Sequence, residues 1–333
     1  MELKEYVNEY ELILYPKYKN FTVKLETLLK DFLDQEKINF FIESRTKTVE
    51  SFKEKINRPY KNYKSPLNEI TDLTGIKIIV SSLDDVEKVK KLIEKEFNID
   101  EERSINKFES LKTDQFGYLS QHFIIKINES RQNLPEWFSM KDLWAEIQVR
   151  TVLQHAWANV SHFLEYKNEI DVPQKFKRKL YMLSAVFELA DENLNGLIND
   201  ISALSEEYKE KIDSKELKIE INVNSLKTYL KSSENVSYWM HAVKGEGFNP
   251  KPVDNPSVLI KFMKKANINS IEELDNLLEK AKKDYNDLLD TQFNVKGNGI
   301  PISGGILVYD DEVISLIIKY YYPEITSSIF EPS

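Results

Sequence analysis

The stretch GIKIIV, residues 75–80, is a short apolar run typical of a buried β-strand, and the elements around it decide the fold class. The segment before it, up to about residue 58, has apolar residues near helical spacing and is predicted to be helical. Residues 82–97 place their apolar side chains on one side of a helix, and Ser82 is a suitable N-cap. We therefore expect a strand between two helical segments.

Two further strand candidates and two long helices follow in the sequence. The strands are predicted at residues 119–127 and 143–149, and the helices at about 151–167 and 173–207. This order predicts a mixed α/β or α+β domain over residues 1–207.

Residues 208–333 are predicted to form a second, smaller α/β domain. The segment LKIEINV, residues 217–223, alternates apolar and polar residues as a β-strand does. Ser270 and Glu273 form a capping box before a helix that reaches about residue 289. A strand at 306–309 and a final aromatic-rich helix complete this domain.

The composition excludes several kinds of site. The 333 residues include no cysteine, which rules out disulfides, thiol catalysis and Cys-ligated metals. Only Gly75 and Gly117 precede residue 196, so neither a Walker-type phosphate loop nor a dinucleotide-binding glycine motif can form there. No HExxH zinc motif occurs among the four histidines. If this chain handles nucleotides, side chains must hold the phosphates.

The charge and hydropathy patterns predict where the protein works. There are 46 Lys and Arg residues against 55 Asp and Glu, and the net charge of −9 argues weakly against a protein that coats nucleic acid. The sequence has no signal peptide and no uncharged apolar run of membrane-spanning length. We therefore expect a cytoplasmic protein with no membrane partner.

The densest basic segment is residues 45–64, with seven Lys and Arg residues against two Glu. On a helix, Lys47, Ser51 and Lys55 would form one stripe that faces an anion. The opposite side of that helix would carry the apolar residues Val49, Phe52 and Ile56. Arg45 adds a planar fork suited to a phosphate or a base. The charge pattern alone favours an ordinary solvated amphipathic helix.

Carboxylates accompany two of the predicted strands. Asp72 and Lys77 bracket the entry to the 75–80 strand, where a carboxylate can bind Mg²⁺ beside substrate phosphates. Strand alternation places Glu146, Gln148 and Arg150 on one face, an arrangement that is costly unless they line a cleft or are paired. Glu146 is then a candidate general base or metal ligand. An exposed turn and a half-solvated strand are the alternatives.

Histidine and tyrosine side chains mark two further segments. His155 and His162 share one face of the predicted 151–167 helix but lie too far apart to share a metal ion, which indicates a polar wall. Tyr118 follows Gly117 in a loop and is placed to stack on a nucleobase, although a core tyrosine is the commoner case.

Together these segments resemble the synthetase domain of the RelA/SpoT family, which makes the alarmone (p)ppGpp. The resemblance covers about residues 20–205. It rests on five spaced motifs in the family's order: Arg45-x-Lys47-x3-Ser51-x3-Lys55, Asp72-Leu-Thr-Gly-Ile-Lys77, Gly117-Tyr118-x-Ser120-x-His122, Glu146-Ile-Gln-Val-Arg150-Thr151, and His155-Ala-Trp-Ala-x3-His162 followed by Tyr166-Lys167.

The resemblance implies an α+β fold of the nucleotidyltransferase type, in which helices flank a mixed β-sheet. It also implies a GTP pyrophosphokinase-type diphosphotransferase. Such an enzyme moves pyrophosphate from ATP to the 3′-hydroxyl of GDP or GTP and releases AMP. The residues implied to bind ATP are Arg45, Lys47, Ser51 and Lys55. Asp72 and Glu146 would bind Mg²⁺, with Glu146 also activating the acceptor hydroxyl and Lys77 completing the catalytic set. The residues implied to bind the acceptor are Tyr118, His122, Gln148, Arg150, His155 and Lys167.

The resemblance also bears on activity and assembly beyond the transfer reaction. Long family members carry an upstream hydrolase with metal-binding histidines. No histidine precedes His122 here and 44 residues precede Arg45, so a monofunctional enzyme without hydrolase is expected. Small synthetases often form tetramers, which implies a homo-oligomer unless residues 208–333 block assembly.

Departures from the family pattern leave the acceptor open. Lys77 stands where the family often has Arg. The loop before Gly117 reads LKTDQF where the usual small synthetases have a Lys- and Pro-containing segment, and Leu119 stands where they have a basic residue. A toxic branch of the family modifies the 3′ end of tRNA and is restrained by an antitoxin or a fused domain. Residues 208–333 would then be a regulatory or neutralising module. A third hypothesis, an inactive nucleotide-binding scaffold, is disfavoured by the retained Asp72 and Glu146.

Overall fold

The computed structural model describes residues 3–58, 63–106, 121–166, 174–292 and 306–328. The chain divides into two compact units, Met1–Ile198 and Asn199–Ser333. This division falls inside a long helix, whereas the sequence-based boundary is residue 207. Within the residues described, every helix is too short or too polar to cross a lipid bilayer.

The first unit is built from helices that pack around a β-sheet. Its N-terminal elements are α1 (Leu3–Glu9), a π-helical turn (Tyr10–Leu14), α2 (Tyr15–Gln35), β1 (Phe40–Thr46), α3 (Val49–Ile56), α4 (Pro66–Glu69) and β2 (Thr74–Val80). The remaining elements are α5 (Leu83–Glu96), β3 (Phe97–Ile99), β4 (Ile105–Asn106), β5 (Gln121–Ile127), α6 (Glu129–Gln132), a 3₁₀ turn (Phe138–Met140), β6 (Ala145–Thr151), α7 (Val152–Tyr166) and α8 (Gln174–Asp213).

The sheet is mixed, as the sequence predicts. Its strand order is β1-β2-β6-β5-β3, with β4 also paired to β5. Strands β2 and β6 are parallel, and the other pairs are antiparallel. Ser82 caps α5 as predicted, because its Oγ accepts a hydrogen bond from the Asp85 amide at 3.1 Å. The predicted α+β fold class is therefore confirmed.

One face of the sheet is buried in the core of the first unit. Ile76 and Ile78 on β2 and Ile147 and Val149 on β6 are fully buried, since alternation sends them to the same side. Helix α2 contacts β1 and β2 and adds its buried apolar side chains, which are Phe21, Leu25, Leu29 and Leu33. The opposite face carries the polar residues of the same strands.

The prediction of continuous helix up to residue 58 is wrong. Helix α2 ends at Gln35, and the segment FFIESRT forms β1, which pairs antiparallel with β2 from Phe40 to Thr46. Two aromatic residues and an isoleucine at the start of this segment favour a strand that has a partner. Helical spacing upstream does not predict where that partner lies.

The second unit is mainly helical. Its elements are the end of α8, α9 (Val223–Ser232), α10 (Glu234–Gly245), β7 (Phe248–Lys251), α11 (Ser257–Lys265), α12 (Ile271–Ala281), a 3₁₀ turn (Lys282–Asp284), α13 (Tyr285–Gln292), β8 (Ile306–Tyr309) and α14 (Asp310–Tyr321). Strands β7 and β8 form a two-stranded parallel sheet. Trp239 is fully buried in the core of this unit and stacks on Tyr285.

Two details predicted for this unit are corrected. Residues 217–223 do not form a regular strand, because only Glu220 pairs, in a single bridge with Ser270. Their apolar alternation instead reflects an extended segment whose Ile219 is buried in the core. Ser270 caps α12 as predicted, but that helix ends at Ala281 and a new helix begins at Tyr285.

Candidate active site

The polar face of the sheet gathers side chains from four neighbouring strands. Strand register places Arg45 on β1 opposite Gly75 on β2, and Gly75 opposite Glu146 on β6. A second row crosses the same face of β1, β2, β6 and β5 with Glu43, Lys77, Gln148 and His122. Residues that are directly opposite in a ladder point to the same side of the sheet, so these two rows form one surface.

Asp72 is paired with two lysines at one end of this surface. Its Oδ2 lies 3.0 Å from Nζ of Lys47, and its Oδ1 lies 2.8 Å from Nζ of Lys55. Burial alone would raise the pKa of Asp72, but the ammonium groups of Lys55 and Lys47 outweigh that effect and hold the pKa below its usual value. Asp72 is therefore an ionised carboxylate that already balances two cations.

The two lysines reach Asp72 from different elements. Lys47 lies in the short connection after β1, and α3 begins only at Val49 behind the N-cap Thr48. The prediction of one helical stripe is therefore wrong for Lys47 and right for Ser51 and Lys55. The apolar side of α3 is as predicted, with Phe52 and Ile56 buried.

Ser51 and Arg45, the other two residues predicted to bind ATP, are both exposed. The Thr48 hydroxyl donates to Ser51 Oγ at 3.1 Å, so Ser51 belongs to the cap of α3. Arg45 is exposed on β1, and Gly75 beside it offers no side chain in that row. A Cβ on Gly75 would lie 3.6 Å from the Arg45 side chain, which is ordinary van der Waals contact. The Arg45 side chain therefore lies over Gly75, beside Glu146 in the same row.

Glu146 forms the second centre of the surface. Its Oε1 lies 2.6 Å from Nδ1 of His122 on the neighbouring strand β5. Burial would raise the pKa of Glu146, but the hydrogen bond and electrostatic attraction of His122, together with a hydrogen bond from Gln148, outweigh burial and the pKa is lowered. The charge of Asp72 acts in the opposite direction, which shows that the two carboxylates are close enough to interact.

Arg150 and His155 contribute buried nitrogen atoms. Arg150 is 9% exposed, and its Nη2 donates to Gln148 Oε1 at 2.6 Å. Among the described residues, neither Arg150 Nε nor His155 Nδ1 has a hydrogen-bond partner. Buried polar atoms are nearly always paired in folded proteins, so these two are candidates for contact with a ligand.

Burial is the main cause of the pKa shifts of His155 and Arg150. Burial lowers the pKa of His155, and the positive charges of Lys77 and Arg150 lower it further against the opposing effect of Glu43. Burial also lowers the pKa of the Arg150 guanidinium, while Glu146 and Glu43 oppose this. His155 is therefore neutral at pH 7. Because the Asn159 side-chain amide donates to its Nε2 at 3.0 Å, Nδ1 carries the ring proton and is a hydrogen-bond donor.

Glu43 is a site residue that the sequence interpretation missed. Its Oε2 accepts a hydrogen bond from Lys77 Nζ at 2.9 Å, and this bond lowers the pKa of Glu43. Lys77 therefore faces Glu43, and a phosphate would have to compete for it. Recognising FFIESRT as a strand would have put Glu43 and Arg45 on one face.

Several predicted residues lie outside the described part of the chain. Tyr118 and Lys167 fall in the ranges 107–120 and 167–173, together with Gly117 and Ser120. His162 and Tyr166 belong to α7, but their side chains are not among those described. The stacking role of Tyr118 therefore stays a prediction.

The carboxylates fit Mg²⁺ in the way that nucleotide-using enzymes bind it. Asp72 and Glu146 are both ionised and interact electrostatically. In the ranges described there is no cluster of three or more His, Asp or Glu residues that would hold a metal ion without a ligand. Mg²⁺ usually takes one or two carboxylates and completes its octahedron with water and substrate phosphates. The donor set thus suits an ion that arrives with a nucleotide.

Comparisons with known proteins match the part of the chain that carries these residues. The model of the region found in RelA and SpoT proteins matches residues 44–171, a range that contains every site residue named above except Glu43. The GTP pyrophosphokinase YjbM of Bacillus subtilis (strain 168) is 27% identical over 176 residues, which are 51% of this chain and 77% of YjbM. The GTP pyrophosphokinase YwaC of the same strain is 27% identical over 161 residues, which are 47% of this chain and 73% of YwaC.

Among solved structures, small alarmone synthetase 1 from Bacillus subtilis superposes with a TM-score of 0.47 and 24% identity, covering 59% of this chain and 99% of that one. The sequence matches carry the assignment. Residues 44–171 of this chain therefore match the region found in RelA and SpoT proteins, and the sequence relatives of this part of the chain are GTP pyrophosphokinases.

Proposed function

We propose that this chain transfers the pyrophosphate group of ATP to the 3′-hydroxyl of GDP or GTP, which yields (p)ppGpp and AMP. The observation that carries the proposal is the pair of ionised carboxylates, Asp72 and Glu146, on a sheet surface lined with cations. The relatives named GTP pyrophosphokinases match the part of the chain that builds this surface.

The donor side of the site is the cluster around Asp72. Lys47 and Lys55 balance Asp72 in the free protein. When ATP binds, its phosphates can take over the two ammonium groups, and Asp72 would then be available to hold Mg²⁺, so its charge would stay compensated. Arg45 and Ser51 complete the ATP-binding set, with the Arg45 guanidinium suited to a phosphate or an adenine face.

The transfer step requires a positioned hydroxyl and a stabilised leaving group. The 3′-oxygen of the acceptor attacks the β-phosphorus of ATP, and the bond from that phosphorus to the oxygen bridging the α- and β-phosphates breaks. AMP leaves with the electron pair of that bond, and Glu146 takes the hydroxyl proton. The lowered pKa of Glu146 keeps it ionised and ready to accept the proton, although it also reduces its basicity. Bound Mg²⁺ would neutralise the developing phosphate charge.

The acceptor side is proposed along β5, β6 and α7. His122 holds Glu146, and Gln148 holds Arg150, so both functional groups are positioned before substrate binds. Arg150 Nε and His155 Nδ1, which have no hydrogen-bond partner in the part of the chain that the structure describes, would contact the acceptor. Tyr118 and Lys167 join this side on the resemblance alone.

A label-transfer assay tests the acceptor. The full chain is incubated with Mg²⁺ and ATP labelled at the γ-phosphate, and GDP, GTP and total tRNA are offered separately. We expect label on GDP or GTP. Label on tRNA alone would contradict the nucleotide acceptor and identify a translation-blocking enzyme, and no transfer to any of the three would leave only a nucleotide-binding scaffold.

A further inference from the structure

A buried tyrosine in the N-terminal helix contacts the donor side of the site. Tyr10 begins the π-helical turn Tyr10–Leu14, which separates α1 from α2. Such turns are rare and often occur at functional sites. Tyr10 precedes the matched residues 44–171, so neither the motifs nor the comparisons assign it a role.

Tyr10 holds the backbone of Lys47. The tyrosine is fully buried, and its hydroxyl donates a hydrogen bond to the Lys47 carbonyl oxygen at 2.6 Å. On the other side of the same residue, the Lys47 amide donates to the Leu73 carbonyl oxygen at 2.9 Å. Both backbone polar groups of Lys47 are therefore fixed, at the point where its side chain reaches Asp72.

Tyr10 also contacts the helix that carries the second lysine. Its ring stacks on Phe52 of α3 with 4.4 Å between ring centroids and 25° between planes. Lys55 lies one turn further along α3 and reaches the other oxygen of Asp72. One side chain thus touches both of the segments that deliver ammonium groups to the same carboxylate.

The Tyr10 hydroxyl remains a donor throughout the working pH range. Burial, followed by the nearby Tyr18, Tyr15 and Asp72, raises the pKa of Tyr10 well above its usual value. The hydroxyl is therefore protonated whenever the site is folded, and its hydrogen bond to Lys47 does not depend on pH.

We propose that Tyr10 is a positioning residue for ATP binding, which acts by holding Lys47, and through Phe52 also Lys55, where the phosphates of ATP arrive. This inference rests on the proposed function. It predicts that losing the Tyr10 hydroxyl weakens nucleotide binding through Lys47, whereas a tyrosine that only fills space would affect stability alone.

Tyr10→Phe removes the hydroxyl and keeps the ring that stacks on Phe52. Tyr15→Phe is the matched control, because Tyr15 lies in the same helical segment and packs edge-on against Tyr10 at 6.0 Å. Binding of α,β-methylene-ATP with Mg²⁺ is measured by titration calorimetry on the full chain, with thermal melting to verify folding. We expect the dissociation constant to rise about threefold to tenfold in Tyr10→Phe, the effect of one lost hydrogen bond, and not in Tyr15→Phe.

A double-mutant cycle separates positioning from general destabilisation. In a Lys47→Met background, Tyr10→Phe should cause no further loss of binding, because its effect passes through Lys47. An equal loss in both backgrounds, or unchanged binding in Tyr10→Phe, would overturn the inference and leave the proposed function intact. Failure of the unmutated chain to bind the analogue would overturn both.

Discussion

Oδ2 of Asp72 lies 3.0 Å from Nζ of Lys47, although helices α3 and α4 lie between the two residues in the sequence. They meet because β1 and β2 pair up to Thr46 and Thr74, and the pairing is extended by the bond from the Lys47 amide to Leu73. Lys55 occupies the other oxygen. In the free protein, the two lysines that are proposed to bind phosphate are therefore paired with the carboxylate that is proposed to bind the metal.

The first prediction concerns that carboxylate. Asp72→Asn should reduce label transfer about 100-fold or more, the usual effect of removing a group that stabilises transition-state charge. The two partly buried lysines also lose their shared anion, so the free energy of unfolding should fall by about 1–3 kcal/mol. Transfer assays and urea unfolding measure the two effects. The control is Asp85→Asn, which breaks only a helix-surface pair with Lys88, and equal activity in both variants would contradict the role of Asp72.

Glu146→Gln should abolish turnover and leave folding intact. The glutamine preserves shape and still can bond to His122, but it neither accepts the hydroxyl proton nor binds Mg²⁺ as a carboxylate does. Single-turnover label transfer and a thermal melt are the measurements. Comparable rates for the variant and the unmutated chain would remove Glu146 from the chemistry.

The pKa shifts of Asp72 and Glu146 predict how stability depends on pH. Both pKa values are lowered in the folded chain, so the stabilising effect of each charge is fully present above its ordinary pKa and is lost as pH falls through the folded value. The unfolding free-energy difference between the unmutated chain and Glu146→Gln should be constant from about pH 7 to 5 and shrink below about pH 4.5. A difference that already shrinks between pH 7 and 6 would contradict the lowered pKa.

The ion pair between Glu43 and Lys77, in the second row of polar residues on the sheet, leads to a prediction about the pKa of His155. The charge of Glu43 raises the pKa of His155, so Glu43→Gln should lower that pKa further, which proton NMR of the imidazole can follow. The Glu43–Lys77 pair is half-exposed, and its loss should change the free energy of unfolding by less than about 1 kcal/mol. An unchanged or higher pKa of His155 would show that Glu43 does not act on His155.

Tyr118 is predicted to stack on the acceptor base. Tyr118→Ala should weaken acceptor use by about 1–3 kcal/mol, the range for a lost base–aromatic stack. The acceptor KM and kcat are measured with ATP saturating, and the KM for ATP provides the internal control. Unchanged acceptor constants would remove Tyr118 from the site.

The sequence predicts strands β2 and β6 of the site, but it does not predict strand β1, which precedes them. The runs 75–80 and 143–149 are apolar on the core side, so periodicity identified them. FFIESRT was missed because its strand character depends on pairing with β2, and with it Glu43 went unrecognised. The alternation at 217–223 was misleading for a related reason, since an extended segment packed on a core shows the same pattern as a strand in a sheet.

The resemblance assigns residues from separate motifs to one site, and the fold brings several of them into contact. Asp72 with Lys47 and Lys55, and Glu146 with His122, are in contact although each set comes from separate motifs. Tyr10 could not have been identified in this way. Its hydroxyl donates to a backbone carbonyl oxygen 37 residues away. Because every residue has a backbone carbonyl, the sequence around Lys47 carries no sign of this contact.

The position of the label in the products tests the central claim most directly. Two parallel reactions with GDP and Mg²⁺ use ATP labelled at the α-phosphate or at the γ-phosphate, and products are separated by chromatography. Pyrophosphate transfer predicts that all α-label that leaves the ATP pool appears in AMP. The γ-label should appear in a guanosine product, in a molar amount equal to that of the AMP. Formation of ADP with transfer of the γ-phosphate alone, or no γ-label in any guanosine product, would contradict the account.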